Sequence, residues 1–140
     1  MRLAVYRAFV ATGKAPSAAD VATAVGAPAA DVLAAFERLD AGRGIVLEPG
    51  THDVWLANPF SATPTGFEVQ TASRRYYAAC GWDTLGIIPL LHEGGTVFYT
   101  CPDCDQPTEL EVPLEGPAPG ETVIYFGVPA ARWWEDLGST

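Results

Sequence analysis

Apolar side chains recur at helical spacing through the first part of the chain. "RLAVYRAFVATGK" places Leu3, Tyr6, Phe9 and Val10 on one stripe, the three-and-four spacing of an amphipathic helix. "PSAADVATAVGA" offers Ser17 as an N-cap and Gly26 as a stop. "APAADVLAAFERLDAGRG" carries Val32, Leu33, Phe36 and Leu39 before it runs into glycines. The period then shortens. "IVLEPGTHDVWLANP" reads as two short strands around a Pro-Gly turn. Three helices followed by a hairpin is the layout of a winged helix-turn-helix unit, predicted here over residues 1–58.

The texture changes at Asn58. "NPFSATPTGFEVQTASRRYY" is a connector rich in Pro, Ser and Thr with one short strand at "GFEVQ", and Phe60 and Phe67 mark it as pinned to a core. A helix is predicted from about Ser73 or Arg74 to Ile88, with Pro89 marking its end or a kink. "GGTVFYTCPDCDQPTELEVPL" reads as two strands around a Cys-Pro-Asp-Cys turn, "ETVIYFGVP" as a third strand and "AARWWEDLG" as a terminal helix. The predicted class is α+β: a winged-helix-like module, then residues 59–140 as a helix with a small, mostly antiparallel sheet, the two making one compact unit.

Charge narrows the function. The chain of 140 residues has 8 Lys and Arg against 17 Asp and Glu, a net charge of −9. The third helix carries Asp31, Glu37 and Asp40 against Arg38, and the hairpin tip carries Glu48, His52 and Asp53. A helix and wing that read DNA need basic or amide side chains, so the winged-helix shape is read as a packing scaffold and no nucleic acid is expected as partner. No apolar run approaches the roughly 20 residues of a membrane helix. The opening segment is too amphipathic for a signal peptide. A cytoplasmic protein without membrane partner is expected, and its three cysteines then read as free thiols, metal ligands or nucleophiles.

The chemistry concentrates in "RRYYAACGWDTLGIIPLL". On a helix, Cys80 and Asp83 would project together, one turn apart. Ala78, Ala79 and Gly81 leave space beside the thiol, Tyr76, Tyr77 and Trp82 supply aromatic walls, and Arg74 and Arg75 are the cations available to offset a thiolate. A buried carboxyl can hold a proton near neutral pH and deliver it. The pair suits work that needs a soft nucleophile and a proton donor at one point. The plain alternative is a cysteine packed as a small hydrophobe and an aspartate capping nearby backbone, and Cys-x-x-Asp spacing alone does not decide between them.

"CPDC" brings two more thiols, Cys101 and Cys104. A redox reading wants a helix directly after the first cysteine, which Pro and Gln here do not favour. Structural zinc needs four ligands, so the turn is half a site unless Cys80 and His92 join it. Structural zinc is therefore not favoured and a plain turn with free thiols is the preferred reading; the sharper alternative is that Cys101 or Cys104 leans toward Cys80 and rebuilds a two-thiol soft-metal site. His52 and His92 form no array with a serine, and Trp133 and Trp134 read as a lid on the core.

"RRYYAACGWDTLGIIPLL" followed by "VFYTCPDCDQPTELEV" resembles the organomercurial lyase (alkylmercury lyase) family. The agreement falls at Arg74, Arg75, Tyr77, Cys80, Asp83, Thr84 and Leu85, with Cys101 similar to a family cysteine on the following strand. The resemblance implies cleavage of a carbon–mercury bond, with Cys80 as metal-binding nucleophile, Asp83 as proton carrier and Tyr77, Trp82 and Thr84 in the pocket. It also implies a small organomercurial substrate, no required cofactor, Hg(II) as bound product and small thiols to remove it. The family's second catalytic cysteine, near a later strand, has no counterpart in "PAPGETVIYFGVPAARWWEDL". Two other readings stay open: the same pair acting on a metal-free substrate, and a non-catalytic protein that binds soft metals or thiol-reactive compounds.

Overall fold

The computed structural model describes residues 1–120 and 122–135. Three helices open the chain: α1 (Arg2–Thr12), α2 (Ala18–Val25) and α3 (Ala29–Ala41). Ser17 caps α2 through a reciprocal box: its hydroxyl accepts from the Asp20 N–H at 3.1 Å, and the Asp20 carboxylate accepts from the Ser17 N–H at 2.9 Å. Gly13 and Gly26 end α1 and α2 in the left-handed conformation that favours glycine.

The strands then follow as β1 (Val46–Leu47), β2 (Val54–Ala57), β3 (Phe60–Ser61), β4 (Phe67–Thr71) and β5 (Arg75–Ala78). Helix α4 (Gly81–Leu91) intervenes before β6 (Gly95–Thr100) and β7 (Pro107–Val112). All seven form one sheet in the order β1-β2-β3-β5-β4-β6-β7, and every neighbouring pair is antiparallel. The fold is therefore α+β, with the hairpin that closes the helical part continuing directly into the sheet of the rest.

One core serves both halves. Val5, Phe9 and Phe36 from the helices share it with Phe60, Val69, Tyr76, Ile87, Ile88, Val97 and Val112. Phe9 stacks on Phe60 at 5.3 Å, Phe60 meets Tyr76 at 5.5 Å, and the Tyr76 hydroxyl donates to the Val10 carbonyl at 3.1 Å. Burying each such ring contributes about 1.5–3 kcal/mol. Alternation along the strands sends Val69, Tyr76 and Val97 inward and Glu68, Arg75, Tyr77 and Phe98 to the outer face. There Arg75 pairs with Glu68 at 2.9 Å and lies over the Phe98 ring.

Three expectations of secondary structure are corrected. The helix predicted from Ser73 or Arg74 is instead strand β5, and helix begins only at Gly81. Arg75-Tyr76-Tyr77-Ala78 has the strand period of two, exposed, buried, half-buried, buried. The outward Tyr77 hides that period, because an aromatic ring reads as a core residue. "ETVIYFGVP" contains no strand among its described residues. Val123 and Tyr125 alternate as strand residues do, yet they are 82% and 86% exposed, with no surface to bury against. Of the terminal helix, a single 3-10 turn forms at Ala130–Arg132, and the part beyond Glu135 lies outside the described residues.

Candidate active site

Cys80 stands where β5 becomes α4. Its backbone is extended (φ −155°, ψ 179°), and it occupies the N-cap of the helix. The usual N-cap oxygen accepts a well-formed bond from a backbone N–H of the first turn; the Cys80 sulfur only faces the first-turn N–H groups and forms no full cap bond. Its thiol donates to Asp83 Oδ2 at 3.2 Å. The two side chains thus meet as the sequence predicts, although as N-cap and first-turn residue and not as two residues within one helix. Gly81 permits the close start: a Cβ there would lie 3.2 Å from the Phe67 ring.

Burial sets the proton affinities. It is the largest force on Cys80 and pushes the thiol up to about 11, with the Asp83 charge adding to it and the Asp83 and Trp82 backbone N–H groups opposing. Burial also raises Asp83 above the ordinary carboxylate value, partly offset by the bond from Cys80. The electron-poor start of a helix favours anions, but here desolvation outweighs it. At neutral pH Cys80 is therefore a thiol whose proton is directed at a carboxylate.

The arginines are not near enough to change this. β5 is extended at about 3.3 Å per residue, so Arg75 sits roughly 16 Å up the chain from Cys80, engaged with Glu68 and Gln70. The Arg74 stem packs against Gly13 at the end of α1. The cations expected to offset a Cys80 thiolate serve the fold.

The remaining predicted residues divide. Tyr77 projects to the outer face of the sheet, away from α4, so it does not wall the thiol. Thr84 is buried, and its hydroxyl donates to the Gly81 carbonyl at 2.7 Å, fastening the first turn of α4. Trp82 is 54% exposed and meets Phe126 edge-on at 6.0 Å. Phe126 in turn packs on Trp133 at 5.3 Å, whose indole N–H donates to the Val128 carbonyl. This ridge beside the start of α4 was not foreseen; the only sequence hint was the aromatic content of a segment read as strand and helix. Trp134 lies under the Arg43 guanidinium at 4.9 Å. Two surface hollows, of about 280 Å³ along Ala15, Val54 and Thr63 and about 120 Å³ beside Arg2 and Trp134, are lined by neither Cys80 nor Asp83. The pair is half-buried at the start of α4, next in sequence to the exposed Trp82 of the aromatic ridge.

The other two thiols sit in the β6–β7 turn. Cys101 is the first residue of the β6–β7 turn and not a strand residue. Tyr99 pairs with Phe67, the ring that covers Gly81, so the turn and Cys80 lie at the same end of the sheet. Yet among the described residues no three His, Cys, Asp or Glu side chains converge to hold a metal. Cys80, Cys101 and Cys104 do not form one cluster, with or without His92, because β4 stands between β5 and β6. His92 is the αL cap that ends α4, and His52 pairs with Glu37 at 2.9 Å.

The structure is thus an antiparallel sheet backed by helices, with a thiol and a carboxyl group joined at the start of α4. The profile of the alkylmercury lyase family (MerB) matches residues 60–140, more than half of the chain and all of the thiol-bearing part. The chain belongs to the alkylmercury lyase family. Its fold is similar to a crystal structure of the mercury-bound form of MerB2, with a TM-score of 0.66 and 18% identity over 84% of this chain and 58% of that one. The chain thus corresponds to little more than half the length of that protein. No curated protein sequence matches it. Among the described residues no single helix is long and apolar enough to cross a membrane.

Proposed function

We propose that this protein binds an organomercurial through Cys80 and protonates the departing carbon from Asp83. The observation that carries the reading is the 3.2 Å bond from the Cys80 thiol to Asp83 Oδ2, between two groups whose burial raises both proton affinities.

A balanced sequence follows from that bond. A soft metal prefers sulfur, so R–Hg–X exchanges X⁻ for the Cys80 sulfur as the S–Hg bond forms. The thiol proton moves along the existing hydrogen bond to the Asp83 carboxylate. Asp83, now a carboxylic acid whose hold on the proton burial strengthens, passes that proton to the carbon as the carbon–mercury bond breaks. R–H leaves, Asp83 is again a carboxylate, and Hg(II) stays on Cys80 until a small thiol removes it. No electrons are exchanged with an outside agent. The Trp82–Phe126–Trp133 ridge is the apolar surface on which R would rest.

The test is incubation with phenylmercury acetate and excess thiol, following benzene. Wild type should release it, and Cys80→Ser and Asp83→Asn should each fall at least about 100-fold, the usual scale of positioned acid–base catalysis. Mercury bound one-to-one at Cys80 with no benzene from wild type overturns the lyase reading and leaves a capture protein. That second reading is supported by one observation: among the described residues no third His, Cys, Asp or Glu side chain groups with Cys80 and Asp83 to hold a metal.

A further inference from the structure

The β6–β7 turn carries two thiols that the chemistry at Cys80 does not use. Cys101 donates its N–H to the Gln106 carbonyl at 2.9 Å, and Asp105 donates its N–H back to the Cys101 carbonyl at 2.9 Å. Asp105 takes a positive φ of 54°, which closes the loop. The closed loop is a single helical turn, and in such a turn side chains three residues apart project to one side. Cys101 and Cys104 are so spaced. The Asp105-to-Cys101 bond closes the turn around both residues, so their thiols stand on one short, backbone-pinned loop.

The surroundings suit a cation. Cys101 is half-buried and Cys104 exposed, so the turn lies at the surface. Asp103 and Asp105 flank them, and no Lys or Arg occurs from Tyr76 to Ala131. Zinc would need four donors, and among the described residues no third ligand joins the pair. Soft cations of filled d shell, such as Hg(II), accept two thiolates as a full set and prefer sulfur over oxygen.

We infer that the Cys101–Cys104 turn is a self-contained dithiol site that chelates one two-coordinate thiophilic cation of the Hg(II) type. The site is separate from Cys80 and stands whether or not Cys80 turns over a substrate. Binding forms two S–Hg bonds and breaks two S–H bonds and the two bonds from mercury to its departing ligands (chloride, for HgCl2); protons and ligands go to solvent and no oxidation state changes. The two sulfurs are held within one turn, so the second bond forms at a high effective concentration.

The experiment uses the full reduced chain carrying Cys80→Ser, titrated with HgCl2 under argon and then challenged with glutathione. One Hg(II) should bind per chain with release of two protons per metal. Adding Cys104→Ser should lower the glutathione needed to strip half of the metal by about tenfold or more. Both positions lie in an exposed turn, and thermal melting should show the variants folded. Equal glutathione resistance with and without Cys104 overturns the inference. So does one metal per two chains accompanied by a dimer in light scattering, which would mean that two turns share the ion.

Discussion

Asp83→Asn removes the carboxylate that faces the Cys80 thiol and nearly keeps its shape. Burial is the largest force holding that thiol at about 11 against the ordinary 9.0, and the Asp83 charge and hydrogen bond add to it. The asparagine leaves the burial and deletes the charge. The thiol should therefore fall from about 11 toward 9.0 without reaching it. Iodoacetamide reads this shift, because alkylation follows the thiolate. Two pH units cut the thiolate at neutral pH about 100-fold. A more basic thiolate is intrinsically faster, by about tenfold over two units at a Brønsted slope near 0.4–0.5. The net expectation is that wild-type Cys80 alkylates about tenfold slower than an unperturbed thiol. A Cys101→Ser/Cys104→Ser background leaves Cys80 as the one thiol, and rates taken by mass spectrometry from about pH 7 to about pH 11.5 give its midpoint. A wild-type midpoint at or below 9.0, or an upward move in Asp83→Asn, refutes the account.

The same shifts fix the sign of the stability change. Folded Cys80 holds a proton that the unfolded chain has lost between pH 9.0 and about 11, so stability falls as pH rises through that window. Asp83 acts likewise above the ordinary carboxylate value of 3.8, and Asp83→Asn should remove that part of the decline.

Two further outcomes test the scaffold. Gly95→Ala would put a Cβ 2.6 Å from the Gln70 carbonyl and 3.2 Å from Ile88; the clash is with backbone, and a loss of about 1–3 kcal/mol or more is expected in urea unfolding, an unchanged midpoint contradicting the β4–β6 register. Phe60→Ala empties a fully buried site between Phe9 and Tyr76 and should cost about 3–5 kcal/mol; a loss under about 1 kcal/mol would mean that the two halves do not share that core.

Much of the helical part was legible because its signals are local. Ser17, Gly26 and the apolar stripe of α3 act within a turn or two, and the structure places helices where they point. The β4 strand and the β6–β7 hairpin also follow from short-range patterning. The strand β5 was hidden for a non-local reason. Tyr76 and Tyr77 are both aromatic, but only their partners, Val69 inward and Glu68 outward, separate their faces. Those partners lie in another strand. Cys80 and Asp83 were legible because a spacing of three brings side chains together both within a helix and between its N-cap and first turn. Tyr77 as a pocket residue was not, since it followed from the helical reading. The meeting of Trp82 with Phe126 spans the rest of α4 and the β6–β7 hairpin and leaves no trace in local periodicity.

Turning β5 from helix to strand alters the chemistry as well as the fold. A helical segment would have set Arg74 and Arg75 one or two turns from Cys80 and favoured a thiolate. The strand carries them away, and no Lys or Arg follows until Arg132. Cys80 is left protonated and half-buried against a carboxylate. A thiol so placed is a poor nucleophile toward carbon electrophiles, because almost none of it is ionised at neutral pH. A thiophilic metal is different: its affinity for sulfur displaces the proton, and Asp83 is in place to receive it. The environment that slows alkylation therefore costs metal capture far less. Of the chemistries open to this pair, it disfavours a metal-free covalent substrate and favours one that brings its own soft metal. A Cys80 that alkylated rapidly at neutral pH while failing to bind phenylmercury would reverse that order.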